Sequence, residues 1–139
     1  MTLGELNGHY ELRQRLAKAQ ELLYALRASA APGAQALTGM PHGTGVRDKV
    51  GDLAVEIAEA ETDLALLQKE IETQERTVLS FIGTISDLQT RMVFRLRFIR
   101  GLTWGEVAEV VGGRNTEDSV KSLCYRHLKS CRALTRRDA

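Results

Sequence analysis

A heptad repeat of apolar residues is the feature that most constrains the fold of this chain. Two series, each with a spacing of seven residues, run from residue 50 to residue 88. The first contains Val50, Ile57, Leu64, Ile71, Val78 and Ile85, and the second contains Leu53, Ala60, Leu67, Gln74, Phe81 and Leu88. Six repeats exceed the three or four that indicate a coiled coil. The pattern therefore predicts a helix about 50 Å long over residues 50–82, with an apolar stripe that must be covered.

Two arrangements would cover this stripe. A helix predicted over residues 4–30 would fold back on it as an antiparallel hairpin, because it carries an apolar stripe of its own. That stripe contains Leu12, Leu16, Ala19, Leu23, Leu26 and Ala30. The charged residues between them, Arg13 included, are expected to face solvent.

A second chain is the other cover. The β-branched residues of the first series favour a two-stranded parallel coil, and Gln74 would fix its register. We predict a homodimer or a higher homo-oligomer and keep the intramolecular hairpin as the alternative. The predicted oligomerisation residues are Val50, Leu53, Ile57, Leu64, Leu67, Ile71 and Val78.

Breaks in the helical pattern and a change of charge divide the chain. Pro32, Pro41 and four glycines predict a loop over residues 31–45, and Gly83 ends the heptad helix. Residues 1–87 contain 8 Lys/Arg and 13 Asp/Glu, a balance of −5, whereas residues 88–139 contain 11 and 5, a balance of +6. We therefore predict a hairpin or coiled-coil oligomerisation region over residues 1–86 and a basic, nucleic-acid-binding domain over residues 87–139.

Three further helices are predicted in the basic part, which makes the whole chain all-α. The first covers residues 87–100, is capped by Thr84 or Ser86, and ends at Gly101. The second covers residues 104–111 behind a Thr103 cap. The third covers residues 116–134 behind an Asn115 or Thr116 cap, and Asp118 is expected to reach back to Asn115 where that residue is the cap.

The last two of these helices match the helix-turn-helix plan. A short helix is followed by Gly112 and Gly113 and then by a longer basic helix. Ala108 is the small residue that lets two such helices pack closely, and Val120 and Leu123 face inward from the third helix. The combination predicts a DNA-binding module.

The amino-acid sequence of this region resembles that of a known family. Residues 95–108, Arg-Leu-Arg-Phe-Ile-Arg-Gly-Leu-Thr-Trp-Gly-Glu-Val-Ala, look like the start of the helix-turn-helix in region four of sigma factors. They are closer still to the sigma-like regulators of late phage and prophage genes, the ArpU/RinA-type group. Residues 112–120 and residues 40–52 are also similar to members of that group. The resemblance implies a transcription regulator that binds DNA near promoters and acts on late or packaging genes.

Candidate DNA contacts follow from the third helix and its support. Thr116, Ser119, Ser122 and Arg126 match positions that read bases in the sigma-like pattern. Lys121 and Lys129 are expected to contact phosphates, and Tyr125 to stack or to donate to a phosphate. Arg95, Arg97 and Arg100 are expected to hold the DNA backbone from the supporting helix, with Arg132, Arg136 and Arg137 as a basic tail. RNA polymerase is a further partner of the coiled coil under this hypothesis.

Two other functions fit the same sequence. A small terminase subunit, which binds viral DNA for packaging, also combines a helix-turn-helix with helical oligomerisation. In a protein–protein module, the basic helices would instead bind an acidic partner such as RNA polymerase without contacting DNA.

Other classes are disfavoured by what the sequence lacks. It contains no phosphate-binding glycine loop with lysine, no His-Glu-x-x-His and no nucleophile elbow, so we predict no enzyme and no cofactor. Cys124, His127 and Cys131 share a helix face but are predicted as core residues rather than metal ligands. No apolar run or leader indicates a membrane span or secretion, and two cysteines do not make a disulfide scaffold. The expected location is the cytoplasm of a bacterial host cell.

Overall fold

The computed structural model describes the backbone of residues 1–30 and 44–138 and the side chains of residues 1–30 and 53–133. All regular structure in these residues is helical, as the all-α prediction requires. The helices are α1 (Leu3–Ala30), α2 (Thr44–Gly83), α3 (Leu88–Phe94), α4 (Trp104–Val111) and α5 (Glu117–Asp138), and a π-helical turn (Arg95–Ile99) continues α3.

The helix boundaries correct several details of the sequence prediction. The structure begins α2 at Thr44, so the end of the predicted 31–45 loop is helical, while residues 31–43 lie outside the described residues. Neither Thr84 nor Ser86 caps α3. Asp87 does so, because its carboxylate accepts hydrogen bonds from the Thr90 backbone N–H at 3.0 Å and from the Thr90 hydroxyl at 2.7 Å. These bonds hold the pKa of Asp87 below its usual range.

The described chain forms two compact units. The first unit contains residues 1–13 and 71–139, and the second contains residues 14–70. This division differs from the boundary predicted between residues 86 and 87. The difference arises because the start of α1 and the end of α2 share a core with the three helices that follow.

The core of the first unit is built from all five helices. Its fully buried members are mainly aromatic and β-branched side chains: Leu6, Ile82, Ile85, Val93, Phe94, Phe98, Val107, Val120 and Cys124. Phe94 is central, with its ring centroid 5.8 Å from that of Phe81 and 5.7 Å from that of Phe98. Such ring pairs stabilise a core beyond the area that they bury.

The second unit has a thin core. Leu23 is its buried hydrophobic residue among those described, whereas the heptad residues Leu53, Ile57, Leu64 and Leu67 are half-buried. Arg27 and Glu61 join the two helices by an ion pair of 2.9 Å, in which both side chains are about half exposed. Large apolar side chains are also open to solvent here, including Leu22, Tyr24, Val55 and Leu66. None of the helices in the described residues combines the length and hydropathy needed to cross a membrane.

Candidate nucleic-acid interface

The turn between α4 and α5 is fixed by glycine and asparagine. Gly112 and Gly113 have φ angles of 71° and 67°, a region that disfavours residues with a Cβ. Gly112 ends α4 by donating to the Ala108 carbonyl, and its own carbonyl accepts from the Asn115 side chain at 2.9 Å. The chain therefore leaves α4 and enters α5 in one defined conformation.

Both helices of this pair begin with reciprocal caps. At α4, the Thr103 hydroxyl accepts from the Glu106 N–H at 3.2 Å, and the Glu106 carboxylate accepts from the Thr103 N–H at 3.1 Å. These bonds lower the pKa of Glu106. This is the capping box that the Thr103 prediction required.

The cap of α5 differs from the predicted one in its partner. Thr116 accepts from the Ser119 N–H at 3.2 Å, and the Thr116 N–H donates to the Ser119 hydroxyl oxygen at 2.8 Å. Ser119 rather than Asp118 completes the cap, because the residue three positions after the cap is the one whose side chain reaches it. Thr116 and Ser119, two of the predicted base contacts, therefore use their hydroxyl groups to cap the start of α5.

Helix α5 packs on α4 through an apolar face. Val120, Cys124 and Leu128 are buried, and Val107 and Ala108 are buried on α4. Burial raises the pKa of the Cys124 thiol to about 12, so this cysteine acts as a small core residue. Ala108 is buried at the position where the sequence pattern required a small residue.

The opposite face of α5 is polar and open. Asp118, Ser122, Arg126 and Lys129 are exposed, and Lys121 is half-buried. Tyr125 is 39% exposed, and its ring centroid lies 6.5 Å from that of Trp104. Most residues predicted to contact DNA from α5 are thus brought together on one surface. Glu117 and Asp118 add two exposed carboxylates to its first turn.

Arg97 is half-buried against two aromatic rings. Its guanidinium carbon lies 3.6 Å from the centroid of the Tyr10 ring and 4.5 Å from that of the Trp104 ring. It donates to the Leu102 carbonyl at 3.1 Å, and its Nε is buried without a partner among the described atoms. These contacts give Arg97 a structural role, because its side chain joins α1 to the rest of the first unit, whereas its contact with the DNA backbone stays a prediction.

The other two arginines of the supporting helix face a different surface. Arg95 and Arg100 are exposed and line a surface pocket of about 510 Å³. Its remaining lining residues are Arg13, Glu75, Leu79 and Ile99. Arg13 pairs with Glu75 at 3.0 Å instead of facing open solvent, which corrects its predicted position. None of the pocket's lining residues comes from α4 or α5.

A part-buried polar contact between His9 and Gln74 was not anticipated. His9 is 1% exposed, and its Nδ1 is 3.2 Å from the Gln74 side-chain oxygen. Burial lowers the pKa of His9. The apolar stripe of α1, extended by nearly two turns toward its start, passes through His9 and Leu6, and this spacing was the available signal for both residues.

Cys124, His127 and Cys131 pack in and beside the core of the first unit. The His127 ring lies 5.5 Å from the Phe94 ring, and its Nε2 is 3.5 Å from Cys131 Sγ. Burial lowers the pKa of His127. Across the described residues, no group of three His, Cys, Asp or Glu side chains is arranged to hold a metal ion.

The predicted oligomerisation residues divide between the two units. Ile71 and Val78 are buried in the first unit. Leu53, Ile57, Leu64 and Leu67 are half-buried in the second unit. The side chain of Val50 lies outside the described residues, as do those of Arg136 and Arg137. Comparisons with protein families, with curated proteins and with solved structures found no match to this chain.

Proposed function

We propose that this protein is a sequence-specific, DNA-binding transcription regulator of the phage type, similar to sigma region four. Under this proposal α4 and α5 form a helix-turn-helix, and the exposed face of α5 enters the major groove of double-stranded DNA. Late or packaging genes are the proposed targets.

The observation that carries the proposal is the geometry of the α4–α5 pair. A short capped helix, a turn with two glycines at positive φ and a longer helix pack through small and β-branched residues. The exposed face of the second helix then presents hydroxyl, amine and guanidinium groups together. Arg126 can pair with a guanine edge and Ser122 with several bases, while Lys121 and Lys129 suit phosphates.

The two carboxylates in the first turn of α5 bear on specificity. Because Ser119 makes the cap, Glu117 and Asp118 are free of that task. A carboxylate on the groove-facing side repels phosphates but accepts a hydrogen bond from cytosine N4. Asp118 is therefore proposed to select for cytosine while it lowers affinity for unrelated duplexes.

The thin core of the second unit supports the oligomer in the proposal. A two-helix unit whose heptad residues Leu53, Ile57, Leu64 and Leu67 stay half-buried leaves apolar surface in contact with water. A second copy of the chain would bury that surface. In a symmetric dimer, two helix-turn-helix modules would read half-sites about one turn of the duplex apart.

The proposal is tested by selection from a random duplex library, followed by fluorescence anisotropy across a salt series. The variant Lys121→Ala/Arg126→Ala is compared with the wild type. Arg15→Ala/Arg76→Ala is the matched control, because it removes the same charge from exposed positions outside α5. We expect an enriched sequence, an affinity that falls steeply with salt, and loss of the sequence preference only in the α5 variant.

Three outcomes contradict parts of the proposal. Weak binding of duplexes with no preference for any DNA sequence contradicts the hypothesis of a transcription regulator. Absence of any duplex binding favours the protein–protein module. A ring of eight or more subunits in light scattering, together with binding to DNA, favours the terminase hypothesis instead.

A further inference from the structure

The π-helical turn after α3 brings two arginines to the same side of the chain. In a regular α-helix, residues five apart point in directions that differ by roughly 140°. Here the Arg100 N–H donates to the Arg95 carbonyl at 3.0 Å, an i to i+5 bond that places the two residues one above the other. Single π-helical turns of this kind occur frequently at functional sites.

The pocket described above places a third guanidinium near this pair. Arg13 enters from α1, and its ion pair with Glu75 at 3.0 Å fixes its position. Glu75 balances one of the three positive charges, whereas Arg95 and Arg100 form no ion pair with a described side chain. Two uncompensated guanidinium groups therefore line one open pocket of about 510 Å³.

We propose that this pocket, which we call the Arg95/Arg100 pocket, binds a tetrahedral phosphate group. Guanidinium groups donate two parallel hydrogen bonds to phosphate oxygens, and a pair of them matches the charge of a phosphate dianion. The phosphate comes either from free inorganic phosphate or from the backbone of the duplex that α5 reads. The second source rests on the proposed function, whereas the first does not.

The pocket shares no lining residue with the exposed face of α5. Its lining comes from α1, α2 and the π turn, and includes no residue of α4 or α5. A backbone phosphate held here would belong to a stretch of duplex beyond the bases that α5 contacts. Leu79 and Ile99 line the same pocket, so their methyl groups report on its occupancy in any variant that keeps them.

The first experiment uses inorganic phosphate alone. It is titrated against the full-length protein at constant ionic strength, and the methyl signals of Leu79 and Ile99 are followed by NMR. We expect saturable shifts in the wild type and affinity weakened about tenfold or more in Arg95→Gln/Arg100→Gln, since two charged hydrogen-bond donors are lost. Arg15→Gln/Arg76→Gln, the matched control, retains wild-type affinity.

The second experiment uses a random-sequence duplex and the same three proteins. Each lost phosphate contact lowers the slope of log affinity against log salt by about 0.9. A slope reduced by one or two contacts in the Arg95/Arg100 variant alone shows that the pocket holds a backbone phosphate. Phosphate binding with an unchanged slope supports the pocket with free phosphate as its ligand.

The proposal is overturned if the methyl signals do not respond to phosphate and the salt slope is the same in all three proteins. Failure of the proposed function looks different. In that case no duplex binds to the wild type, yet the phosphate titration still decides whether the pocket binds an anion. Circular dichroism of each variant confirms that the substituted, exposed residues leave the helices formed.

Discussion

Arg97 combines two roles that one substitution can separate, because the sequence predicts a DNA contact for it and the structure places it against two aromatic rings. The test substitution is Arg97→Lys, which keeps the charge and the aliphatic stem but loses the planar group that stacks on rings. If Arg97 held the DNA backbone, lysine would retain most of the contact. Since the guanidinium lies between Tyr10 and Trp104, we expect the substitution to destabilise the first unit.

The expected loss in the free energy of unfolding for Arg97→Lys is the sum of three contributions. Two ring contacts of a half-buried guanidinium contribute about 1.5 kcal/mol together. The bond to the Leu102 carbonyl, made at 3.1 Å, contributes about another 1.5 kcal/mol. Removing the buried Nε, which has no partner among the described atoms, returns about 1 kcal/mol. The expected loss in the free energy of unfolding is therefore about 2 kcal/mol.

Urea unfolding monitored by tryptophan fluorescence measures this loss, since Trp104 is the single tryptophan and lies in the affected unit. With a typical slope of about 2 kcal/mol per molar urea, the midpoint falls by about 1 M. Arg100→Lys is the control, and its exposed side chain should change stability by less than about 0.5 kcal/mol.

A double-mutant cycle with Tyr10→Leu isolates the stacking. We expect a coupling energy of about 0.5–1 kcal/mol between Tyr10 and Arg97. The structural role of Arg97 is contradicted if Arg97→Lys is as stable as Arg100→Lys, shows no coupling to Tyr10 and weakens duplex binding instead.

Three further predictions concern charge, pH and thiol reactivity. Asp118→Asn should raise affinity for random duplexes severalfold, since one carboxylate no longer repels phosphates, and anisotropy measures this. The pKa values of His9 and His127 lie below the ordinary 6.5, so the unfolded chain binds protons at higher pH than the folded chain. The free energy of unfolding should therefore be highest above about pH 6.5 and should decrease as the pH falls below 6.5, as urea titrations at several pH values will show. Cys124, with its pKa raised to about 12, should resist iodoacetamide at pH 8 while half-buried Cys131 reacts, as mass spectrometry of the folded protein will show.

Each of these predictions has a control. Asp63→Asn, at an exposed position outside the first unit, should leave duplex affinity unchanged. His9→Gln should reduce the pH dependence between pH 7 and pH 5, and an unaltered pH profile contradicts the role given to His9. Equal labelling of both cysteines in the folded state would show that Cys124 is not enclosed.

Sequence patterns were sufficient where a local rule governs the structure. The periodic spacing of apolar residues predicted α1, α2, α4 and α5 among the described helices, and Thr103, Gly101 and Gly112 were predicted as caps or terminators from their chemistry alone. Most of the exposed α5 face was also predicted, because residues on the far side of an apolar stripe face outward once the stripe is packed. The π turn was not predicted, because a single i to i+5 backbone hydrogen bond leaves no distinct pattern in the sequence.

The all-helical class and the inward face of each helix follow from the amino-acid order alone, because helix formation and amphipathic burial depend on neighbours within a few residues. Tertiary structure alone decided which partner each inward residue meets. It placed Arg97 between two rings, joined Arg13 to Glu75 across 62 positions and brought His9 against Gln74. Such contacts depend on where distant helices cross, and a charged or polar side chain on the sequence carries no mark of whether its partner will be water, a ring or another charge.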